Sequence, residues 1–193
     1  MQIRCPWVPI NNPLYIKYHD KEWGVPVYGD KKMFEFLVLE SAQAGLSWAI
    51  VLNKRQGYKN AFAEFDAKKV ARFTEKDTEK LLKNDKIIRN RAKIEATVNN
   101  AKRFLEVQKE FGTFSKYAWQ FVGQKPIIHR IKTLKDYPIT TKEAEEFAAD
   151  LKKRGFKFLG PTTIYAHMQA TGMVNDHTQD CFRFKEIIQS YKE

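Results

Sequence analysis

Two cysteines and two histidines stand near the ends of the chain in a pattern suited to metal binding. Cys5 precedes His19 near the N-terminus, and His177 precedes Cys181 by four residues near the C-terminus. Four residues make about one turn of a helix, so the second pair can face a single point. Two thiolates with two imidazoles form a closed tetrahedral zinc set, which leaves no position for water or substrate. The pattern predicts a structural clasp between the two ends, with any chemistry elsewhere.

Two other readings of these cysteines stay open at this point. Free cysteines are often buried as small apolar side chains, and a Cys5–Cys181 disulfide would also use both. The first residues, Met1–Trp7, contain no apolar stretch of the kind found in a signal peptide. We therefore expect a cytoplasmic protein, in which a structural disulfide is disfavoured. His129 and His167 have no partner in any motif and are expected to be ordinary core or surface residues.

A carboxylate is expected among aromatic side chains. Glu40 follows Phe36 by four residues, which places it on the apolar face of a predicted helix. A buried carboxylate is costly unless it is paired or used. The aromatic residues on either side of this helix are Trp7, Tyr15, Tyr18, Trp23 and Trp48. Such rings stack on a flat cation while the carboxylate matches its charge; the alternative is an aromatic core with a salt-bridged glutamate.

The charge of the chain points to a polyanionic partner. There are 34 Lys and Arg against 23 Asp and Glu, a net charge of +11. Much of the excess lies in residues 80–103, where eight basic residues face only Asp85 and Glu95. A solvated basic surface without a partner is the alternative.

Within this basic segment the sequence predicts two helices joined by a tight connection. Ile87 and Ile88 are expected to pack between the helices, and Arg89, Arg91 and Lys93 to project near the start of the second. Free backbone N–H groups at a helix start favour a phosphate. This is the plan of a helix-hairpin-helix element, here about 75–110, which holds DNA by its backbone; the alternative is an ordinary helix pair with a solvated basic face.

The elements that position these residues are predicted to be almost all helical, so the fold class is all-α. Asp30 is predicted to cap a helix ending near Gly45, and Thr140-x-x-Glu143 forms a capping box before a helix that stops at Gly155. The other predicted helices span 48–62, 74–83, 91–109, 117–122 and 161–172. If residues 13–19 are also helical, Tyr15 and Tyr18, three residues apart, share a face. The candidate strands at 127–128 and 156–158 are too short to build a sheet. No apolar run is long enough for a membrane span.

Taken in order, several stretches of the chain resemble bacterial 3-methyladenine DNA glycosylase I. The resemblance covers most of the chain, from Cys5 to Cys181. The stretches that carry it are Cys5-Pro-Trp7, Tyr15-x-x-Tyr18-His19-Asp20, Glu22-Trp23-Gly24-Val25-Pro26, Glu40-x-x-Gln43-Ala44-Gly45-Leu46-Ser47-Trp48, Ile87-Ile88-Arg89-Asn90-Arg91-x-Lys93-Ile94, Lys153-Arg154-Gly155-Phe156-Lys157-Phe158, Met168-Gln169-Ala170 and Val174-Asn175-Asp176-His177.

The resemblance implies a single catalytic domain over residues 1–193 with a helix-hairpin-helix glycosylase fold. In this fold the terminal segments, about 1–28 and 160–185, meet at a structural zinc, and the resemblance implies that its ligands are Cys5, His19, His177 and Cys181. It implies a monofunctional enzyme that hydrolyses the N-glycosidic bond of 3-methyladenine in alkylated double-stranded DNA, as part of base excision repair. No membrane and no protein partner is required, so a monomer is expected.

The resemblance also assigns roles within the site. Glu40, Tyr18 and Trp48 would form the base pocket, with Trp7, Tyr15 and Trp23 nearby; Glu40 is the expected catalytic residue. Gly45 and Leu46 would approach the gap left by a flipped nucleotide. Lys86 and Ala92 depart from the glycines expected in the hairpin, which leaves its phosphate contacts open. The rival classes are a non-catalytic DNA-binding module with a zinc clasp and a glycosylase of different specificity.

Overall fold

Helices make up most of residues 2–191, the part of the chain that the computed structural model describes. Their bounds are α1 (Pro13–Lys21), α2 (Asp30–Gln43), α3 (Trp48–Ala61), α4 (Ala67–Val70), α5 (Glu75–Leu82), α6 (Arg91–Phe111), α7 (Phe114–Trp119), α8 (Lys142–Lys153), α9 (Pro161–Ala170) and α10 (Phe182–Ser190). Short 3₁₀ turns lie at Ala63–Phe65, Gln120–Val122 and Leu134–Asp136. The all-α prediction is confirmed, although α10 was not predicted and α7 begins three residues earlier than expected.

One short pair of strands interrupts the helices. β1 (Ile127–Ile128) pairs in parallel with β2 (Val174–Asn175). The expectation that 127–128 would join no sheet was wrong, because a parallel partner lies far along the chain and leaves no local signal. The other candidate, 156–158, forms no strand: the buried Asn100 side chain bonds both the N–H and the carbonyl of Lys157, each at 2.8 Å.

Helix α2 lies at the centre of the core. It packs against α3, α6, α7 and α9, and every residue from Phe36 to Ala42 is buried. Five residues of this run are apolar and point in several directions around the helix, as expected where other helices enclose it. Glu40 belongs to this buried run and is therefore held by a rigid element.

Two residues predicted to cap helices, Asp30 and Thr140, are not the caps of those helices in the structure. The N-cap of α2 is Gly29, and Asp30 begins the helix. The Asp30 carboxylate accepts from the backbone N–H groups of Phe114 and Ser115 at 2.8 and 2.9 Å, so it caps the start of α7. The predicted cap at Thr140 is wrong by one residue, since Thr141 precedes α8 and accepts from the Ala144 N–H.

The two ends of the chain come together beside α9. The N–H of Phe182 donates to the carbonyl of Ile3 at 3.0 Å. Gly172 (φ +68°) approaches the preceding segment so closely that a Cβ there would lie 2.4 Å from the backbone N of Pro26. Only glycine permits both this φ and this contact. Within residues 2–191, no helix combines the length and the apolar composition needed to cross a bilayer.

Candidate active site

A pocket of about 200 Å³ opens among α1, α2, α3 and α9. This is smaller than the roughly 300–1,000 Å³ of sites for drug-sized ligands, and suits a single heterocyclic base. The lining residues are Trp7, Tyr15, Tyr18, Trp23, Glu40, Gln43, Trp48, Tyr137, Ala166 and Gln169. The prediction that Glu40 and the five aromatic residues lie together is confirmed by this geometry.

Glu40 is a carboxylate without a counter-ion. Its side chain is 5% exposed, and it has no salt bridge among residues 2–191. The cations Lys32 and Arg55 pair instead with Glu22 and Glu35. Burial raises the pKa of Glu40 to about 8. A group held in this way favours a ligand that brings a positive charge into the pocket.

Two aromatic rings form one wall beside Glu40. The rings of Tyr18 and Trp48 lie 5.1 Å apart, tilted by 46°. Trp48 Nε1 is buried and has no hydrogen-bond partner within residues 2–191. Burial, followed by the charge of Glu40, raises the pKa of Tyr18, so its hydroxyl keeps its proton. The wall therefore offers ring faces together with unused polar atoms.

The start of α1 places Tyr15 and Tyr18 on this wall. The Asn12 side chain accepts from the Tyr15 N–H and caps the helix, and Pro13 takes the first helical position. Residues 13–19 are helical, as the conditional prediction required. Tyr15 and Tyr18, three residues apart, therefore share a face of α1.

Four residues of the pocket were not predicted as site residues. Gln43 and Gln169 lie in stretches that carry the family resemblance, and this position in the sequence could have indicated a role in the site. Ala166 precedes Gln169 by one turn of α9. Tyr137 comes from the irregular segment before α8 and accepts a hydrogen bond from Trp7 Nε1 at 3.0 Å; no pattern in the sequence points to it.

Behind the pocket, Cys5, His19, His177 and Cys181 form a buried cluster whose candidate ligand atoms all lie within 4.8 Å of one another. The Cys181 Sγ is 3.5 Å from both His19 Nε2 and His177 Nδ1, and Cys5 Sγ is 3.4 Å from His177 Nδ1. Tetrahedral ligands at zinc–sulfur and zinc–nitrogen lengths of about 2.3 and 2.0 Å lie about 3.5 Å apart. The spacing of the donor atoms thus fits a zinc ion.

The second nitrogen of each imidazole has an oxygen partner. His19 Nδ1 bonds to the Asp20 carboxylate at 2.8 Å, and His177 Nε2 donates to the carbonyl of Trp23 at 3.0 Å. These acceptors fix the proton on the outer nitrogen and leave the lone pair of the inner nitrogen facing the sulfurs. This is the tautomer that a metal ligand needs.

The two thiols are linked in their titration. The close approach of the two buried sulfurs lowers the pKa of Cys181 and raises that of Cys5. One thiolate therefore forms readily, whereas a second needs a cation between them. The prediction that residues 177–181 form a helical turn was wrong. They form a non-helical turn, in which the Cys181 N–H donates to the Thr178 carbonyl at 2.9 Å.

Two tryptophans connect the cluster to the pocket. Trp23 packs edge-on against His177 with 4.7 Å between ring centroids, and Trp7 packs against Trp23 at 4.7 Å and His19 at 5.2 Å. Both tryptophans also line the pocket. Any disturbance of the cluster reaches the pocket wall through these rings.

The loop between α2 and α3 lies at the mouth of the pocket. Gly45 adopts φ +77°, and Leu46 is 37% exposed between the pocket residues Gln43 and Trp48. Lys93, from the first turn of α6, donates to the carbonyls of Ala42 and Ala44 at 2.8 and 2.6 Å. Its ammonium group thus neutralises the C-terminal end of α2.

The predicted hairpin between α5 and α6 is docked on α3. Gly57 meets it so closely that a Cβ would lie 2.2 Å from the Lys86 carbonyl, and Lys54 donates to the Asp85 carbonyl at 2.7 Å. Ile87 is buried as predicted. Arg89 is exposed and makes no ion pair among the described residues, whereas Arg91 pairs with three carboxylates: Glu75, Glu79 and Glu95.

A second pair of helices, α8 and α9, is also joined by a short connection. Helices α8 and α9 pack together, and their connection carries Gly155 at φ +83° and Phe158 at φ +58°. The N-cap of helix α9 is Gly160, which supplies no side-chain cap and has open space around it. By contrast, the Asn90 side chain already occupies the Lys93 N–H at the start of α6.

The comparisons with known proteins agree with this geometry. The model of the methyladenine glycosylase family matches residues 7–184. DNA-3-methyladenine glycosylase of Haemophilus influenzae is 48% identical over 181 residues, covering 94% of this chain and 97% of the relative. A crystal structure of 3-methyladenine DNA glycosylase I superposes with a TM-score of 0.91 at 46% identity, covering 93% of this chain and 98% of that one.

A second solved structure is of a tyrosine-to-phenylalanine variant of 3-methyladenine DNA glycosylase I in complex with 3-methyladenine. It superposes with a TM-score of 0.87 at 38% identity and covers 89% of this chain and 92% of that chain. The matches extend over nearly the whole sequence, including the segments that form the pocket. The chain belongs to the methyladenine glycosylase family.

Proposed function

We propose that this enzyme hydrolyses the N-glycosidic bond of 3-methyladenine in alkylated double-stranded DNA, as a step of base excision repair. The observation that carries the proposal is the Glu40 carboxylate, buried without a counter-ion in an aromatic pocket sized for one base. Methylation at N3 gives the adenine of a nucleotide a positive charge. The positive charge of this lesion complements the Glu40 carboxylate, and its flat ring can stack on the aromatic side chains of the pocket.

The cationic base needs little acid catalysis, because it is already a good leaving group. Extruding the nucleotide costs a few kcal/mol, and less for a poorly paired damaged base. Stacking on Tyr18 and Trp48, worth about 1–3 kcal/mol per base, offsets this cost. Glu40 selects the cation by charge and stabilises positive charge that develops on the sugar.

The bond changes of the reaction balance without a further reactant. The C1′–N9 bond breaks and its electron pair neutralises the methylated ring. A water oxygen bonds to C1′ and releases its proton to solvent. The products are free 3-methyladenine and an abasic site.

We assign a structural zinc to Cys5, His19, His177 and Cys181. The distances between their donor atoms and the fixed tautomers of both histidines support this assignment. When bound, the ion supplies a crosslink between the two ends of the chain and no chemistry on the substrate. Because His19 directly follows Tyr18 in α1, the four ligands hold one wall of the base pocket from behind.

For DNA, we place Leu46 and Gly45 at the gap that the extruded nucleotide leaves. Their exposed loop beside Trp48 supports this position. A helix-hairpin-helix element holds the backbone. The segment at about 75–110 stays the predicted element. Of its three predicted contacts, Arg89 is the one with no ion pair or side-chain hydrogen bond among the described residues. The α8–α9 pair is a second candidate, because its helix start is open to a phosphate.

The proposal includes a single catalytic domain that acts as a monomer in the cytoplasm, where the thiols of Cys5 and Cys181 stay reduced. No protein partner takes part in the reaction as written.

Release of a base from methylated DNA tests the activity directly. The protein is incubated with duplex DNA treated with a methylating agent, and the released bases are separated by chromatography. Free 3-methyladenine is expected. Release of no base would identify a non-catalytic DNA-binding protein, and release of 7-methylguanine or hypoxanthine alone would identify a glycosylase of different specificity.

A further inference from the structure

Asp176 is a fully buried carboxylate next to the pocket that is hydrogen-bonded to three side chains, two of them on α9. His129 Nδ1 lies 2.6 Å from one of its oxygens. The other oxygen accepts from the hydroxyl of Tyr165 and from Gln169 Nε2, the latter at 2.7 Å. The β1–β2 pair sets the position of Asp176, since the His129 N–H donates to the carbonyl of Asn175 at 3.2 Å.

This arrangement fixes the side-chain amide of Gln169. The Asp176 oxygen that faces Gln169 already accepts from the Tyr165 hydroxyl, so the amide turns its NH₂ group, and not its oxygen, towards it. If the amide were turned over, two acceptor oxygens would meet at 2.7 Å. The Gln169 Oε1 is therefore held on the side away from Asp176, and within residues 2–191 it has no hydrogen-bond partner.

Gln169 lines the pocket on the same face of α9 as Ala166, and α9 packs against α2, the helix that carries Glu40. The pocket is thus lined by two groups whose oxygens have no donor among residues 2–191, the carboxyl group of Glu40 and the amide oxygen of Gln169. The exocyclic amino group of adenine carries two hydrogens, one for each of these oxygens. Guanine and hypoxanthine carry an oxygen at the same ring position, which would meet the acceptors oxygen to oxygen.

We propose that Gln169 is a specificity-determining residue that reads the 6-amino group of the extruded purine, and that Asp176 is the positioning residue that aims it. The inference rests on the proposed function and extends it from the charge of the lesion to the identity of the purine. A site built around acceptors rejects an analogue that brings no donor, because the buried oxygens are then left unpaired.

The test compares two lesions in one substrate. Duplex DNA treated with a methylating agent contains both 3-methyladenine and 3-methylguanine, and single-turnover release of each base is followed with enzyme in excess. Gln169→Met keeps the length of the side chain and removes its acceptor. The ratio of the 3-methyladenine rate to the 3-methylguanine rate is expected to fall at least tenfold, while the exposed control Gln189→Met keeps the wild-type ratio.

A compensating pair separates specificity from folding. Asp176→Asn alone frees the amide of Gln169 to turn, so the ratio falls. Gln169→Glu combined with Asp176→Asn rebuilds the hydrogen bond with donor and acceptor exchanged and again leaves an oxygen towards the base, so the ratio recovers. Zinc content and thermal unfolding are measured for each variant, because Asp176 adjoins His177.

Equal loss of both rates in Gln169→Met would mean a purely structural role and would overturn the inference. A wild-type ratio in that variant would do the same. If the wild-type protein released neither base, the proposed function itself would fail, which is a different result from an unchanged ratio.

Discussion

Lys93 donates to the carbonyl oxygen of Ala44 at 2.6 Å, and this bond ties the start of α6 to the loop at the mouth of the pocket. The sequence predicted Lys93 as a phosphate contact in a basic hairpin. In the structure its ammonium group instead satisfies carbonyls at the end of α2, one of them on the buried Ala42. A cation at this end opposes the negative pole of the helix. Lys93 therefore holds the backbone that precedes Gly45 and Leu46.

Replacing Lys93 by Met should slow excision without changing the salt dependence of DNA binding. Losing hydrogen bonds from a charged donor costs about 1.5–3 kcal/mol, which corresponds to a rate loss of roughly ten- to a hundredfold if the loop sets the extruded geometry. The control is Arg89→Met, because Arg89 is exposed. Removing a phosphate contact there should reduce the slope of log affinity against log salt by about one.

The two variants are measured side by side, by DNA affinity from low to high salt and by single-turnover release of 3-methyladenine. A slope reduced by about one in Lys93→Met would mean that the ammonium group leaves Ala44 and reaches a phosphate in the complex. That outcome would restore the prediction made from the sequence.

Removing the proposed zinc should unfold the ends of the chain and disorder the pocket wall. Cys181→Ser deletes a ligand whose sulfur lies 3.5 Å from both histidines. Binding energy of a structural zinc is folding energy, so we expect a lower melting temperature and loss of excision together. Metal analysis should give one zinc per chain for the wild-type protein and less for the variant.

Cobalt substitution supplies an independent readout, because thiolate-to-cobalt absorption reports on Cys5 and Cys181 directly. Active, stable protein that contains no metal would end the zinc assignment. The pocket argument from Glu40 and its aromatic neighbours would stand.

The sequence was sufficient for the helices and for most of the site, for a physical reason. Glu40 in an otherwise apolar helical face has few explanations, and aromatic residues such as Tyr18 and Trp48 near it narrow them further. The convergence of Cys5 with Cys181 was predicted correctly even though the turn that achieves it was not. Residue type and rough spacing carried these predictions, and they survive errors in local conformation.

What the sequence could not supply was the partner of each charged group. Arg91 and Lys93 belong to the same basic stretch as Arg89, yet one faces three glutamates and the other faces backbone carbonyls. Asp30 caps a helix more than 80 residues away. Such pairings depend on which elements are neighbours in space, so a count of charges along the chain overstates the surface available to DNA.

Glu40→Gln should lower excision of 3-methyladenine and leave the affinity for undamaged DNA intact. The variant keeps the shape of a side chain that is only 5% exposed and removes its charge. Loss of one electrostatic stabiliser in a buried site costs about a hundredfold. The exposed Glu145→Gln on α8 serves as the control for a charge change elsewhere.

The measurement for this variant is the single-turnover rate at several pH values. The wild-type rate should rise with pH towards about 8 as the carboxylate of Glu40 forms, and the rate of the Gln variant should be flat over the same range. An unchanged rate in Glu40→Gln would remove this residue from the mechanism.

The same substitution should change how stability depends on pH. The pKa of Glu40 rises from 4.5 to about 8 on folding, because burial disfavours the charged form. The folded protein thus holds a proton that the unfolded chain releases, so the contribution of this group is fully present below about 4.5 and is lost as pH rises through about 8. The loss approaches about 1.4 kcal/mol for each pH unit between those limits.

Urea unfolding of the wild-type protein and Glu40→Gln at pH 5 and pH 8 isolates this term. Any cost of burying the amide is the same at both pH values, and the titration of every other group is common to the two proteins, so the change with pH in the stability difference between them is the readout. The wild-type protein should lose stability relative to the variant as pH rises. A constant difference would place the pKa of Glu40 near its ordinary value, and its carboxylate would then be solvated or paired in the folded protein instead of buried without a counter-ion.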